Sequence, residues 1–413
     1  MPKLLGSTFF TEGDDIKTLL DDLRSKCDGK MYSDVIDDVG HQYIDLVMEG
    51  GGMLAPALGG YTYVLEQMGL RFLRIGGASG GSINALFLAV LGSASEEKAE
   101  RALAEIADYD FVGLLDGDRD ARKVVDSLIE RRSWLSTGMA FVQAWDTLEE
   151  QLGLMPGDNL YGWLAGVVRR AGIETTGQMK DRMWPTDVKL SLRDGTPLDR
   201  RHLKPTLAVV ASDLTTQSRV VLPRMAPLYW DDPDSINPAL FVRASVSIPF
   251  FFKPLRIDNL PSGSEAEANW KRFAGYSGPI PKSCVLVDGG VMSNFPVDLF
   301  HQRAGIPRAP TFGVKLGIDR QQFVDKPLNL LGAVFNSARH SLDSNFIARN
   351  PDYRRLVANI DTRPHHWLDF SLDPEERRDL FMKGAQTARD FLLQFDWHAY
   401  KVLRGELAKT NAL

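Results

Sequence analysis

The chain is poor in cysteine: its 413 residues include only Cys27 and Cys284. Two thiols cannot build a disulfide framework, so a reducing compartment is expected. Long apolar runs are missing too. The longest, around Ile83 to Leu91, falls far short of the roughly 20 residues a membrane-spanning helix needs. The start, Met1 to Ser7, lacks an apolar core of secretory-signal length, so a cytoplasmic protein with peripheral membrane contact is the expectation. No basic block stands out in a chain of net charge −6, which argues against a nucleic-acid polymer as partner. There is no His-Glu-x-x-His and no cysteine–histidine cluster, so neither a metal nor a cofactor is implied. No tandem repeat or low-complexity tract is present.

What the chain does have is glycine at the ends of strands. Gly77-Ala78-Ser79-Gly80-Gly81 spells G-x-S-x-G between a strand-like run, Phe72 to Ile75, and a helical stretch, Ser82 to Leu91. Such a strand–turn–helix pushes a nucleophilic serine outward, and only glycine lets the neighbouring backbone pass so close. Gly50-Gly51-Gly52 follows the strand-like Tyr43 to Glu49 and precedes a helical stretch, Leu58 to Met68. Uncovered N–H groups at a helix entrance favour an anion, and ester hydrolysis develops an oxyanion that such donors stabilise. Asp288-Gly289-Gly290 follows the apolar run Cys284 to Val287, where a carboxylate can be aimed into a cleft beside a serine. Each cluster alone also reads as a plain turn. Three at strand ends point to a hydrolase site.

The order and wording of these pieces resemble the patatin-like phospholipase family. The match runs through GGGMLAPALGGYTYVLEQMGL, GGASGGSINAL and VDGGVMSNFPVDLF, and includes LAVVASDLTT and RASVSIPFFFKPL, over about residues 43 to 396. The resemblance implies a three-layer α/β sandwich with a mostly parallel sheet, and a lipid acyl hydrolase without a catalytic histidine. Ser79 resembles the nucleophile, Asp288 the base, and Gly50, Gly51 and Gly52 the oxyanion loop, with Gly77, Gly81, Gly289 and Gly290 as turn glycines. The substrate implied is a phospholipid or other fatty-acyl ester met at a transient membrane surface. An activator, small molecule or protein, and a homo-oligomer stay open. An aspartate with an ordinary pKa near 3.9 is a feeble base for a serine hydroxyl. Burial and a direct hydrogen bond would strengthen it. The loop departs from the family's G-x-G-x-[RK]-G: Leu54 stands at the basic position and Ala55 at the last glycine. The backbone donors survive either change.

Alternating strands and helices give an α/β sheet. The expected strands are Tyr43–Glu49, Phe72–Ile75, Thr206–Ser212, Arg219–Leu222, Phe251–Ile257, Cys284–Val287, Phe312–Leu316 and Leu356–Asp361. Residues 1–42 read as a helical extension, in which Ile16, Leu19, Leu20 and Leu23 form a docking stripe. Residues 43–302 read as the catalytic domain, and 303–413 as strands and helices completing the fold. The stretch 92–204 is a helical insertion, either a lid or wall of the acyl pocket or packing on the sheet. Its Trp134, Trp145, Trp163 and Trp184 either touch lipid or, the commoner fate, pack in the core. Asp258 to Lys282 reads as an exposed loop, either a cover over the cleft or, the favoured reading, a solvated insertion.

Other readings compete. A dinucleotide fold needs a glycine where Ala55 stands and an acid closing the second strand, which instead runs through Arg71 and Arg74. A Ser-His-Asp triad would draw on His301, His340, His365, His366 or His398, none in a distinctive setting. A regulated antiviral or virulence-type effector that needs an activator, and a catalytically silent binding protein, are the remaining alternatives.

Overall fold

The computed structural model describes residues 6–107, 109, 111–114, 116–117, 152–199, 201–302, 305–317, 343, 345–367 and 369–410. Their strands are β1 (Val35–Asp37), β2 (Gln42–Met48), β3 (Leu70–Ala78), β4 (Gly153–Met155), β5 (Leu190–Leu192), β6 (Thr206–Asp213), β7 (Ser218–Leu222), β8 (Phe250–Phe252), β9 (Leu255–Asp258), β10 (Ser283–Asp288), β11 (Thr311–Leu316) and β12 (Val357–Ile360). Ten of them join one mixed sheet. Its centre is parallel, in the order β12, β11, β2, β3, β6. These strands are nearly continuous apolar runs because both faces are covered: Ile44, Leu46, Val47, Val209 and Val210 are fully buried. Helices flank the sheet, giving the expected α/β sandwich.

The pairing registers around β6 matter most for function. β7 takes one edge of β6 from Val209 to Asp213. A strand has two edges, so β3 and β10, which both also pair with β6, share the other. β3 covers it up to Val210, opposite Ala78. β10 arrives antiparallel from the far end and stops with Asp288 opposite Ala211. The two strands therefore meet end to end at adjacent residues of β6, positions about 3.3 Å apart along a strand.

Helices close over this frame. The helix Ala55–Gln67 crosses Pro374–Gln394 at a very short distance, because a Cβ at Gly60 would overlap the Phe381 carbonyl and one at Gly384 the Ala57 carbonyl. Pro374–Gln394 begins with a reciprocal cap: Asp373 accepts from the Glu376 N–H at 2.8 Å, and Glu376 accepts from the Asp373 N–H at 2.9 Å. The N-terminal helix Asp14–Lys26 buries Ile16, Leu19, Leu20 and Leu23. It docks on that same long helix, with Asp15 paired to Arg378 at 2.6 Å and, just ahead of it, Phe10 packed on Phe381.

Two expectations fail. Phe251–Ile257 is not one strand: β8 pairs with β4, β9 pairs with β10, and Pro254, which has no N–H to give a ladder, lies between them. Asp258–Lys282 is not merely a solvated loop. It holds the helix Ser264–Ala274, whose Trp270 is fully buried and packs edge-on against Tyr229. Trp134, Trp145 and His340 lie outside the described residues.

Candidate active site

Ser79 sits between β3 and the helix Gly80–Val90, with φ 47° and ψ −128°. Positive φ at a non-glycine residue costs of order 1–3 kcal/mol and persists only where the surroundings enforce it. The enforcement is visible. A Cβ at Gly81 would come within 2.5 Å of the Met48 carbonyl, so the helix start lies directly on the end of β2. The Ser79 N–H donates to Ser245 Oγ at 2.9 Å, and the Ser245 hydroxyl donates to the Val210 carbonyl at 2.6 Å. Ser245 thus ties the elbow to β6. The sequence alone gives Ser245 no role, since a serine on a short helix carries no signal of one.

Asp288 closes β10 and, through the shared edge of β6, stands beside the elbow. Its N–H donates to the Ser247 carbonyl at 2.8 Å, and its Oδ1 accepts from the Gly290 N–H at 2.6 Å. A Cβ at Gly289 would overlap the Val210 carbonyl and lie 3.3 Å from the Ala78 Cβ. The Asp288 turn and the Ser79 elbow are thus in contact, and glycine is what lets them touch. Both side chains are nearly buried, Ser79 at 6% and Asp288 at 5% exposure.

The glycine loop lies against the same spot, and it corrects one expectation. A Cβ at Gly50 would sit 2.9 Å from the Ser79 Cβ, so the loop does reach the serine. The Gly50 N–H, however, donates to the Asn294 carbonyl at 3.0 Å and is not free for an oxyanion. The N–H groups of Gly51 and Gly52 have no acceptor among the described residues. The Gly52 peptide packs on Gly80, where a Cβ would lie 2.9 Å from the Gly52 nitrogen. Gly80 opens its helix, and its N–H is one of that helix's four orphan donors. Leu54 and Ala55 are buried apolar residues at the entrance of the next helix.

An apolar cavity opens from Ser79, Gly52 and Gly80, walled by Ile83, Ile106, Phe111, Leu160, Trp163 and Phe252, among others. Among the described residues, Ser79 supplies its only side-chain hydroxyl and no charged residue lines it. Trp163 stacks on Tyr109 at 4.1 Å between ring centres. Trp184 lies elsewhere, in a separate cleft with Lys180 and Pro205. None of the described histidines lines the cavity: His301 meets the Tyr353 hydroxyl at 3.0 Å, and His365 meets Asp379 at 2.7 Å. Among the described residues no group of His, Cys, Asp or Glu could hold a metal ion, and no helix is long and apolar enough to cross a membrane.

The family model for patatin-like phospholipases matches residues 46–301. YqhO of Bacillus subtilis strain 168, an uncharacterised protein, is 29% identical over 359 residues, covering 86% of this chain and all of its own. Among solved structures, VipD from Legionella pneumophila aligns with 88% of this chain and 70% of its own at 17% identity and a TM-score of 0.41. The ExoU–SpcU complex from the type III secretion system of Pseudomonas aeruginosa aligns with 85% of this chain at 16% identity and a TM-score of 0.34. This chain spans 51% of that one's length.

Proposed function

The chain belongs to the patatin-like phospholipase family, and on that premise we propose that it hydrolyses fatty-acyl esters of lipids through Ser79 and Asp288. The Ser79 hydroxyl attacks the ester carbonyl while the Asp288 carboxylate takes its proton. The tetrahedral oxyanion is received by the N–H groups of Gly51, Gly52 and Gly80. Collapse breaks the bond to the lipid alcohol, which leaves with the proton returned by Asp288, and the acyl group stays on Ser79. Water repeats the sequence: Asp288 takes its proton, the acyl–serine bond breaks, and the fatty acid is released with Ser79 reprotonated.

The observation that carries this reading is the end-to-end meeting of β3 and β10 on one edge of β6. It supports a dyad because the turn after Asp288 packs on the elbow, where a Cβ at Gly289 would lie 3.3 Å from the Ala78 Cβ. The apolar lining of the cavity supports an acyl chain as the part that is bound, as in phospholipase A or lysophospholipase activity. The wall contributed by Ile106, Phe111, Leu160 and Trp163 supports the 92–204 stretch as part of the acyl site. One observation favours a second, activator-dependent reading: Ser79 is only 6% exposed, so a lipid enters after part of the wall moves.

Turnover of p-nitrophenyl acyl esters by the full chain tests the proposal, repeated with phospholipid vesicles. Wild-type protein should release the chromophore and Ser79→Ala should not. Equal turnover by both would reject it.

A further inference from the structure

We propose that Asn294 is a positioning residue that clamps the glycine loop to the turn carrying Asp288, braced by Glu49 and Asp343. Its effect on rate rests on the hydrolase reading above; its effect on the loop does not.

Asn294 lies six residues after Asp288 and grips Gly50 through both of its flanking peptides. The Gly50 N–H donates to the Asn294 main-chain carbonyl at 3.0 Å. Its Nδ2 donates back to the Gly50 carbonyl at 3.0 Å and to Glu49 Oε1 at 3.1 Å. The other Glu49 oxygen accepts from the Leu316 N–H at 2.6 Å, which ties the loop to the end of β11. Asp343 then holds both neighbours of Asn294. Its Oδ1 accepts from the Ser293 hydroxyl at 2.6 Å, and its Oδ2 from the Phe295 N–H at 2.7 Å. Glu49 is 2% exposed, Asn294 3% and Asp343 6%.

A plain structural reading is available, since buried polar groups must find partners wherever chains cross. It does not account for the convergence. Side chains from three distant segments all bear, directly or through one residue, on the Gly50 peptide. Three successive glycines left to themselves would sample many conformations. The Gly51 N–H shares a planar peptide with the Gly50 carbonyl, so holding that carbonyl aims the Gly51 N–H and leaves only the Gly51 torsions to aim the Gly52 N–H. Oxyanion donors are worth most when they are aimed before the reaction begins. A hydrogen-bond network with good partners in a low-dielectric interior supplies that rigidity.

The test uses the full chain at pH 8. Burial pushes the Asp343 carboxyl up to about 6, so it is ionised there. Asn294→Ala should speed amide hydrogen exchange across residues 49–54 by at least about tenfold more than across β6, because it removes the side-chain bonds to Glu49 and the Gly50 carbonyl while the main-chain bond from the Gly50 N–H stays. Its kcat on a short soluble p-nitrophenyl ester should fall by about 10²-fold, the cost of one misaimed donor, while KM stays within about threefold. Asp343→Asn, one step further from the loop, should move both readouts the same way by less, and it serves if Asn294→Ala fails to fold. Unchanged exchange over 49–54, or a change in KM with kcat intact, would overturn the clamp. If the wild-type protein turns over no ester, exchange alone decides the clamp and the hydrolase reading falls by itself.

Discussion

In the proposed mechanism Asp288 takes the role that a histidine fills in many serine hydrolases, from a buried position beside the elbow. Asp288→Asn preserves the shape and removes the proton acceptor, so ester turnover should fall by at least about 10²-fold. Single substitutions of His301, His365, His366 and His398 should be far milder, because His301 is engaged by the Tyr353 hydroxyl and His365 by Asp379, while His366 and His398 are exposed. A histidine as essential as Asp288, measured by kcat on the same ester, would replace the dyad with a triad. Leu54 makes a second residue-level case. The family's usual basic residue suggests that Leu54→Arg would act modestly on rate or headgroup preference, but Leu54 is only 6% exposed. A guanidinium there would lose most of its hydration, a cost of several kcal/mol for a buried charge. Urea unfolding should show Leu54→Arg destabilised by about 2 kcal/mol or more, and an unchanged midpoint would show that the site adapts.

Among the elements, the parallel strands were the most legible. Tyr43–Glu49 and Phe72–Ile75 are apolar runs bounded by glycine turns, and they match the cores of β2 and β3. The reading failed where local pattern and partner choice diverge. Phe251–Ile257 is a strand-like run, but Pro254 divides it between two sheets. The helix Ser264–Ala274 buries only Ala266 and Trp270, too thin a stripe to stand out in a polar stretch. In the site, the three glycine clusters were readable and their meeting was not. That meeting depends on β7 occupying one edge of β6, and no single segment encodes it. The loss of the Gly50 donor to Asn294 and the tie from Ser245 were hidden for the same reason. The close crossing of Ala55–Gln67 and Pro374–Gln394 gives an element-scale prediction. A methyl at Gly384 would overlap the Ala57 carbonyl, so Gly384→Ala should cost about 1–3 kcal/mol by forcing the helices apart. A stabilising effect in urea titration, as expected of Gly→Ala in an isolated helix, would contradict the packing argument.

For the whole molecule, the cavity proposed to bind the acyl chain is assembled from remote parts of the chain: the glycine loop, the elbow helix, Ile106, Phe111, Leu114, Trp163 and Phe252 all line it. Its length and width should therefore set which acyl chains react. Ile83 lies one turn into the elbow helix, on the cavity wall. Ile83→Phe should shift preference toward shorter chains, read as a fall in kcat/KM for long p-nitrophenyl esters with short ones little affected. An equal loss across chain lengths would place the acyl group elsewhere. The most direct measurement of the central claim is covalent labelling with a fluorophosphonate probe, followed by peptide mass mapping. The account predicts one labelled residue, Ser79, no labelling in Ser79→Ala, and much slower labelling in Asp288→Asn. A label on any other residue, or undiminished labelling of Ser79→Ala, would contradict it.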